Sequence, residues 1–421
     1  MLLDIEKHND SITPVCQFDR SYHEISSSKL DYAYHALLGG FIPDCDNCLQ
    51  SDDVMEVSDV NDNYRFIRKY FALHWYIYTY ILRLFTFNNP FFETWYFLKN
   101  FRVNRVFPYK VFDSSSTAVC EYILSCQPLV SIVIPTLNRY EYLRDVLIDL
   151  ERQDYSNFEV LICDQSNPFD ELFYKEWKLD IKLIRQEQKA LWLARNTCIM
   201  HSKGDFILLF DDDSRVEPDW IRQHLICLER YESSISAGVT HTLVGHGLSP
   251  KESYFHLSDV FDTGNAMVKR EVFEKVGLFD RQFEKQRMGD GEFGLRALLA
   301  GYQLISNPFA KRIHLKVETG GLRQMGSWDA FRPKRILAPR PVPSVLYLAR
   351  KYFGNTSAAL FALQNIPFSF IPYSLKKYRL LKLIFVLFTP FLLPVMIYDG
   401  LISWQQSTKK LRQGAIIETL V

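Results

Sequence analysis

Hydrophobic and polar positions along the 421-residue chain change character twice. Residues 1–63 are polar without a sustained period and carry acidic clusters at Ser51-Asp52-Asp53 and from Asp59 to Asp62, so no element is predicted there. Residues 64–101 are dense in aromatics, with YFALHWYIYTYIL at 70–82 and FFETWYFL at 91–98. The first run has no formal charge but is too short to cross a bilayer as one helix. It predicts a buried or interface-lying helical pair, with core packing preferred over membrane-surface contact. Asp113-Ser114-Ser115-Ser116-Thr117 then has the composition of a linker or turn.

From residue 129 the pattern becomes one of short apolar runs alternating with helical periodicity. Residues 129–134 (LVSIVI) predict a strand ending on Pro135, and Leu143, Val146, Leu147 and Leu150 fall on one face of a following helix. Further strands are predicted at 158–163 (FEVLIC), 181–184 and 206–210 (FILLF), with a helix at 191–201 before the last. Such alternation implies parallel pairing with right-handed crossovers, and ligands then bind outside the carboxyl ends of the strands. Three of those ends are polar: Thr136-Leu137-Asn138-Arg139, Asp164-Gln165-Ser166 and Asp211-Asp212-Asp213. Three adjacent carboxylates repel one another unless a positive charge sits among them, and a hard divalent cation with oxygen ligands meets that need. A solvated acidic loop is the plain alternative. Downstream, 264–269 (GNAMVK) and 303–307 read as strands, with a turn at Gly277-Leu278-Phe279-Asp280. A helix there carries Leu295, Leu298 and Leu299 on its apolar face.

Forty-nine basic residues balance forty-nine acidic ones, so no overall field draws nucleic acid to the chain. The eight cysteines are scattered, several in apolar patterns, as suits reduced thiols in the cytosol. Cys45-Asp-Asn-Cys48 has half of a zinc-site spacing and no clear second pair. The start, MLLDIEKHND, has no basic region ahead of an apolar core, and a cleaved secretory signal is not expected. No G-x-x-x-x-G-K-[ST] phosphate loop occurs, and Gly245-His246-Gly247 lacks the context of a dinucleotide fingerprint. A nucleotide bound here needs its phosphates neutralised in another way, and a metal on the aspartates would do so.

The ordered blocks PTLNR (135–139), ICDQS (162–166), LARN (193–196) and KGDFILLFDDD (203–213) resemble the nucleotide-binding half of the family 2 glycosyltransferases. That resemblance covers residues 129 to about 325. It implies a GT-A fold, a Rossmann-like, mostly parallel α/β sheet, here with helical extensions at both ends. It also implies a nucleotide-diphosphate sugar as donor, with Pro135, Thr136, Asn138, Arg139 and Asp164 around base and sugar and Arg195 near the ribose or phosphates. Asp211 and Asp213 would ligate or orient Mn2+ or Mg2+, and Asp212, beside the donor, is the member expected to matter least. Cys163 and Gln165 depart from the residues the family often has there.

The block Met288-Gly289-Asp290-Gly291-Glu292 resembles the family's E-D-x-E/D-x-x-x-R segment, with Gly289 in place of the first acid. Sugar transfer with inversion needs one carboxylate to take the acceptor hydroxyl's proton, and Asp290 is the candidate base. Glu292 is the weaker alternative, and a helix N-cap is the structural reading of Asp290. His314 matches a family histidine that closes over diphosphate and metal. The segment Gly320-Gly321-Leu322-Arg323 suits a loop covering a diphosphate, and the absence of Q-x-x-R-W at 324–328 implies a single transfer per encounter. Residues 383–398 are apolar between basic clusters but are interrupted by Pro390 and Pro394, and predict a re-entrant or interfacial anchor beside anionic lipid. Packing against the aromatic 70–98 segment is the alternative.

The expected organisation is an N-terminal extension at 1–125, a catalytic domain at 126–330 and a membrane-associating helical region at 331–421. The expected activity is metal-dependent sugar transfer to a glycan or lipid-linked acceptor, in the cytoplasm at the inner face of the membrane. A catalytically silent sugar-binding or scaffold protein is the rival reading.

Overall fold

The computed structural model describes residues 2–3, 18–43, 48–49, 59–107, 122–242, 250–317, 335, 337–371 and 379–420. The 113–117 linker, the 245–247 segment, the 320–323 loop, the 324–328 segment and all but Cys48 of the 45–48 spacing lie outside these residues.

Four N-terminal helices come first: α1 (Ile25–Leu38), α2 (Val60–Tyr70), α3 (Leu73–Phe85) and α4 (Pro90–Asn100). Asp59 caps α2 by accepting the N–H of Asp62, and Asn89 caps α4 with Pro90 at its first turn. The core-packing expectation for the aromatic segment holds for one face only. Tyr76 is fully buried and stacks on Phe97, while much of the other face is exposed.

The α/β region begins with β1 (Val130–Thr136), α5 (Tyr140–Glu151), β2 (Phe158–Asp164), β3 (Ile181–Arg185), α6 (Leu191–His201) and β4 (Phe206–Phe210). It continues through β5 (Ser214–Val216), α7 (Trp220–Arg230), β6 (Ile235–Thr242), β7 (His256–Leu257), β8 (Asn265–Lys269), α8 (Arg270–Val276), α9 (Gly289–Leu299) and β9 (Leu304–His314). Nine strands form one sheet in the order β3-β2-β1-β4-β8-β6-β9-β5, with β7 on β9. The β3-β2-β1-β4 half is parallel, as the alternation of short apolar runs with helices requires. β8 enters antiparallel between β4 and β6, and β6 returns to parallel pairing with β9. The sheet is therefore mixed beyond β4.

Two apolar layers cover the sheet. Leu143, Val146, Leu147 and Leu150 of α5 are buried with Ile132, Ile134 and Phe210 on one side. On the other, Val133, Leu161 and Leu209 meet α6, Phe273, Phe279 and Phe293. The buried face of α9 is Glu292, Phe293, Gly294 and Ala297; of the expected Leu295, Leu298 and Leu299, Leu298 packs half-buried against the core. Leu299 is exposed, because a charged cluster around Glu292 turns the helix that way.

The C-terminal helices α10 (Pro343–Ser369) and α11 (Arg379–Gln413) pack on each other. No helix among the described residues is long and apolar enough to cross a membrane. Asp399, the one acid interrupting the apolar run, is buried and paired to Arg340 at 3.1 Å. Tyr78 of α3 donates to the Leu360 carbonyl of α10 at 3.2 Å, so the aromatic segment does touch this region. The chain then returns to the α/β region: Leu278 N–H donates to Glu418 O at 2.8 Å, Arg281 N–H to Ile416 O at 3.0 Å, and Leu420 joins the core.

Candidate active site

A cleft of ≈ 440 Å³ opens at the carboxyl ends of β1 and β4. Strand β4 is buried throughout and delivers Asp211, Asp212 and Asp213 to that end. β5 follows at once and pairs antiparallel with β9, which sets Ser214 opposite His314. His314 is thereby joined to two acids distant from it in sequence: ligand atoms of Asp211, Asp213 and His314 lie within 4.8 Å of one another. Two carboxylates and an imidazole fit a divalent cation, so the residues present suit the implied metal.

Cations already organise these carboxylates. Asp211 accepts from Arg195 Nη2 at 2.6 Å and Arg312 Nη1 at 2.9 Å. Asp213 faces His314 Nε2 at 3.2 Å and Arg139 Nη1 at 3.2 Å. Burial opposes ionisation of Asp211, but Arg195 and Arg312 overcome it and hold the carboxyl well below its ordinary range. Asp213 is likewise lowered: burial opposes its ionisation, but His314 and Arg139 together overcome it. Asp212 goes the other way. Its oxygens take Arg139 at 3.0 Å and the Thr136 hydroxyl at 2.8 Å, and burial pushes its carboxyl up to about 6. Asp212 thus ties the end of β1 to the segment that follows β4.

The structure brings Pro135, Arg139, Arg195, Asp211, Asp212, Asp213, Asp290 and His314 to one cleft. Thr136 reaches it only through Asp212. Asn138 sits beside it in a left-handed turn, φ 52°, where its side chain accepts the Asn167 N–H at 2.8 Å. Asp164 is buried, with one oxygen taken by the Tyr140 and Tyr174 hydroxyls at 2.7 and 2.8 Å and the other by Ser166 N–H at 2.8 Å. It braces the strand-end loop and does not line the cleft.

Asp290 lies in the first turn of α9 and is not its cap; Met288 holds that position in the left-handed region, φ 76°. The Asp290 carboxylate accepts the Gly291 N–H at 2.8 Å, and burial raises it above the ordinary carboxyl range. Glu292 is spoken for: Arg296 at 3.1 Å, Lys351 at 3.0 Å and the Tyr352 hydroxyl at 2.6 Å surround it, tying α9 to α10. Gly289 also has a reason. A Cβ there would come within 2.4 Å of the Trp192 ring, so the acid expected at this place has no room.

Arg312 and Asp262 were not predicted. Arg312, 2 % exposed, bridges Asp211 and Asp262, both at 2.9 Å. Gly264 makes room for it, since a Cβ would stand 1.6 Å from Arg312 Nη1. The available signal was strand alternation, which puts residues 312 and 314 on one face, but the predicted strand stopped at 307.

A mixed α/β sheet with a metal-competent acidic cleft at its strand ends defines the class of protein. The α/β region carries a family 2 glycosyltransferase match: the family model described as "Glycosyl transferase family 2" matches residues 131–253. Glycosyltransferase GlyA of Streptococcus pneumoniae is 26% identical over 163 residues, 38% of this chain and 22% of that protein. A Methanococcus voltae protein, dolichyl N-acetyl-alpha-D-glucosaminyl phosphate 3-beta-D-2,3-diacetamido-2,3-dideoxy-beta-D-glucuronosyltransferase, is 24% identical over 208 residues, 42% of this chain and 64% of its own. The chain spans less than two thirds of the length of either relative. Among solved structures, S. aureus TarS 1-349 in complex with UDP-GlcNAc aligns with TM-score 0.43 at 16% identity, over 68% of this chain and 92% of that one.

Proposed function

We propose that the chain transfers a sugar from a nucleotide-diphosphate donor to a glycan or lipid-linked acceptor, with inversion and one transfer per encounter. The observation that carries this is a single cleft with the Asp211–Asp213–His314 cluster and Asp290 both in its lining. Mn2+ or Mg2+ at that cluster would neutralise charge on the donor diphosphate. Arg195 lines the cleft, and its Nε is buried with no hydrogen-bond partner among the described residues, leaving it to donate to a donor oxygen. Asp290 takes the proton of the acceptor hydroxyl; the acceptor oxygen bonds to the anomeric carbon from the far side; the bond to the diphosphate breaks and its electron pair leaves with the nucleotide. A carboxyl raised by burial is the stronger base for that task.

A lipid-linked acceptor accords with the name of the Methanococcus voltae relative. We assign residues 331–421 the membrane contact, at the cytoplasmic face, and residues 126–330 the chemistry, with 1–125 as an extension. Exposed Phe391 and Leu401 on α11 support that contact.

The test is turnover of a panel of nucleotide sugars with and without Mn2+, comparing wild type with Asp290→Asn. A donor that binds also raises the melting temperature. Equal turnover by the variant would remove Asp290 from the role of base, and donor binding indifferent to metal would remove the aspartate cluster. No turnover of any donor that binds would favour a silent sugar-binding protein.

A further inference from the structure

The α3–α4 hairpin presents an apolar surface that nothing among the described residues covers. On α3, Leu73, Ile77, Ile81 and Phe85 recur at every fourth position, all exposed. On α4, Phe91, Trp95 and Leu98 form the matching exposed stripe. Phe87, in the connecting turn, is 97% exposed, and Phe91 and Phe85 are 85% and 78% exposed. Scattered apolar residues at a surface are ordinary, but an exposed apolar row on each of two consecutive helices, joined by an aromatic tip, marks an interaction surface.

The polar groups of the tip show which partner it suits. Turn N–H groups of Thr86, Phe87 and Asn88 donate to the carbonyls of Leu82, Leu84 and Arg83. The Thr86 hydroxyl and the Asn88 amide also return to α3 carbonyls, at 3.1 and 3.0 Å. Asn89 accepts the free N–H groups of Phe91 and Phe92, and the Thr94 hydroxyl donates to Pro90 O. Glu93, the one formal charge in residues 84–98, is turned inward against Arg83 at 2.8 Å. A protein partner would be met by free donors and acceptors around an apolar centre. A surface whose polar groups are closed on themselves is what hydrocarbon demands, because lipid tails satisfy none of them. Beyond the tip, Lys99, Arg102 and Arg105 are exposed, with no acidic residue in 94–107, and so complement anionic headgroups. Through the Tyr78–Leu360 contact, α3 is joined to α10 of the C-terminal region.

We infer that the α3–α4 hairpin lodges in the interfacial layer of an anionic phospholipid membrane, with Phe87 and Phe91 deepest and Lys99, Arg102 and Arg105 at the headgroups. The inference does not rest on the sugar-transfer reading. The hairpin is too short to span and docks as a monotopic anchor.

Flotation of the full chain with phosphatidylcholine–phosphatidylglycerol vesicles tests it, alongside quenching of tryptophan fluorescence by brominated lipid. Wild type should float with the vesicles, and F87S/F91S should partition roughly tenfold less or weaker still. Both sites are exposed, so thermal unfolding of that variant should match wild type. Brominated lipid should quench wild type more than W95F, and K99Q/R102Q/R105Q should lose binding to anionic vesicles as salt loses its effect. Equal flotation of wild type and F87S/F91S, with Trp95 unquenched, would overturn the proposal. So would a lipid-free dimer that F87S/F91S dissociates, which would assign the surface to a second copy of the chain.

Discussion

The two walls of the cleft are built by different means. The floor to which we assign the donor is made at strand ends: Asp211 and Asp213 follow β4, Arg312 and His314 lie on β9, and Arg139 and Arg195 match the carboxylate charges. The wall to which we assign the base is made by loops and helix ends held from far along the chain. Asp280 accepts the Tyr347 hydroxyl at 2.9 Å and the Ile416 N–H at 2.9 Å, and Glu292 is tied to Lys351 and Tyr352. A floor on buried strands keeps its geometry from within the sheet, whereas the base wall depends on the C-terminal helices and tail being docked. The C-terminal region to which we assign membrane contact thus also supports the wall that carries the proposed base.

Four changes probe that difference. Asp290→Asn should lower the transfer rate by about 10²–10⁴-fold with donor affinity unchanged, measured as kcat against a thermal-shift titration of donor. Asp213→Asn strikes the other wall and should abolish the metal-dependent part of the donor-induced melting shift; a shift that persists with metal would separate Asp213 from the cation. Glu292→Ala should destabilise the fold by roughly 3–5 kcal/mol, because Arg296 and Lys351 lose a buried partner, and urea unfolding would show it. Its stabilised remainder should bind donor normally and turn over slowly. Tyr174→Phe, which removes one of two hydroxyls on Asp164, should cost about 1 kcal/mol and leave the base wall untouched.

Acidity sharpens the same contrast. Asp290 has a folded value above its ordinary one, so the native state keeps the proton to higher pH than the unfolded chain does, and its contribution to stability falls as pH rises between the two values. Asp211 is displaced downward, and its contribution is lost as pH falls. The acid limb of kcat/KM should therefore lie above the ordinary carboxylate range, and it should be missing from the residual activity of Asp290→Asn.

Much of the floor was legible because local rules specify it. Residues 206–210 are a buried strand by composition alone, and three acids at its end must then meet cations or a metal. The partners were less legible. Arg312 came into view only when β9 extended from Leu304 to His314, past Pro308, a residue that ordinarily ends a strand prediction. Asp164 read as a ligand-binding acid from its position after β2, yet Tyr140 and Tyr174 consume it from segments whose packing no local pattern announces. The aromatic segment at 70–98 read as core because apolar density does not say which face turns inward. The structure buries Tyr76 against a half-buried Phe97 and leaves Phe87 and Phe91 outside.

Short-range chemistry determined the alternation of strands and helices, the polar strand ends, the family and the candidate base, since each depends on residues within a few positions of one another. Tertiary structure decided which carboxylates line the cleft. Asp211, Asp212, Asp213 and Asp290 line the cleft, whereas Asp164 and Glu292 are closed off from it by tyrosine, arginine and lysine partners. A carboxylate's role follows from what solvates it, and that is a property of the folded neighbourhood.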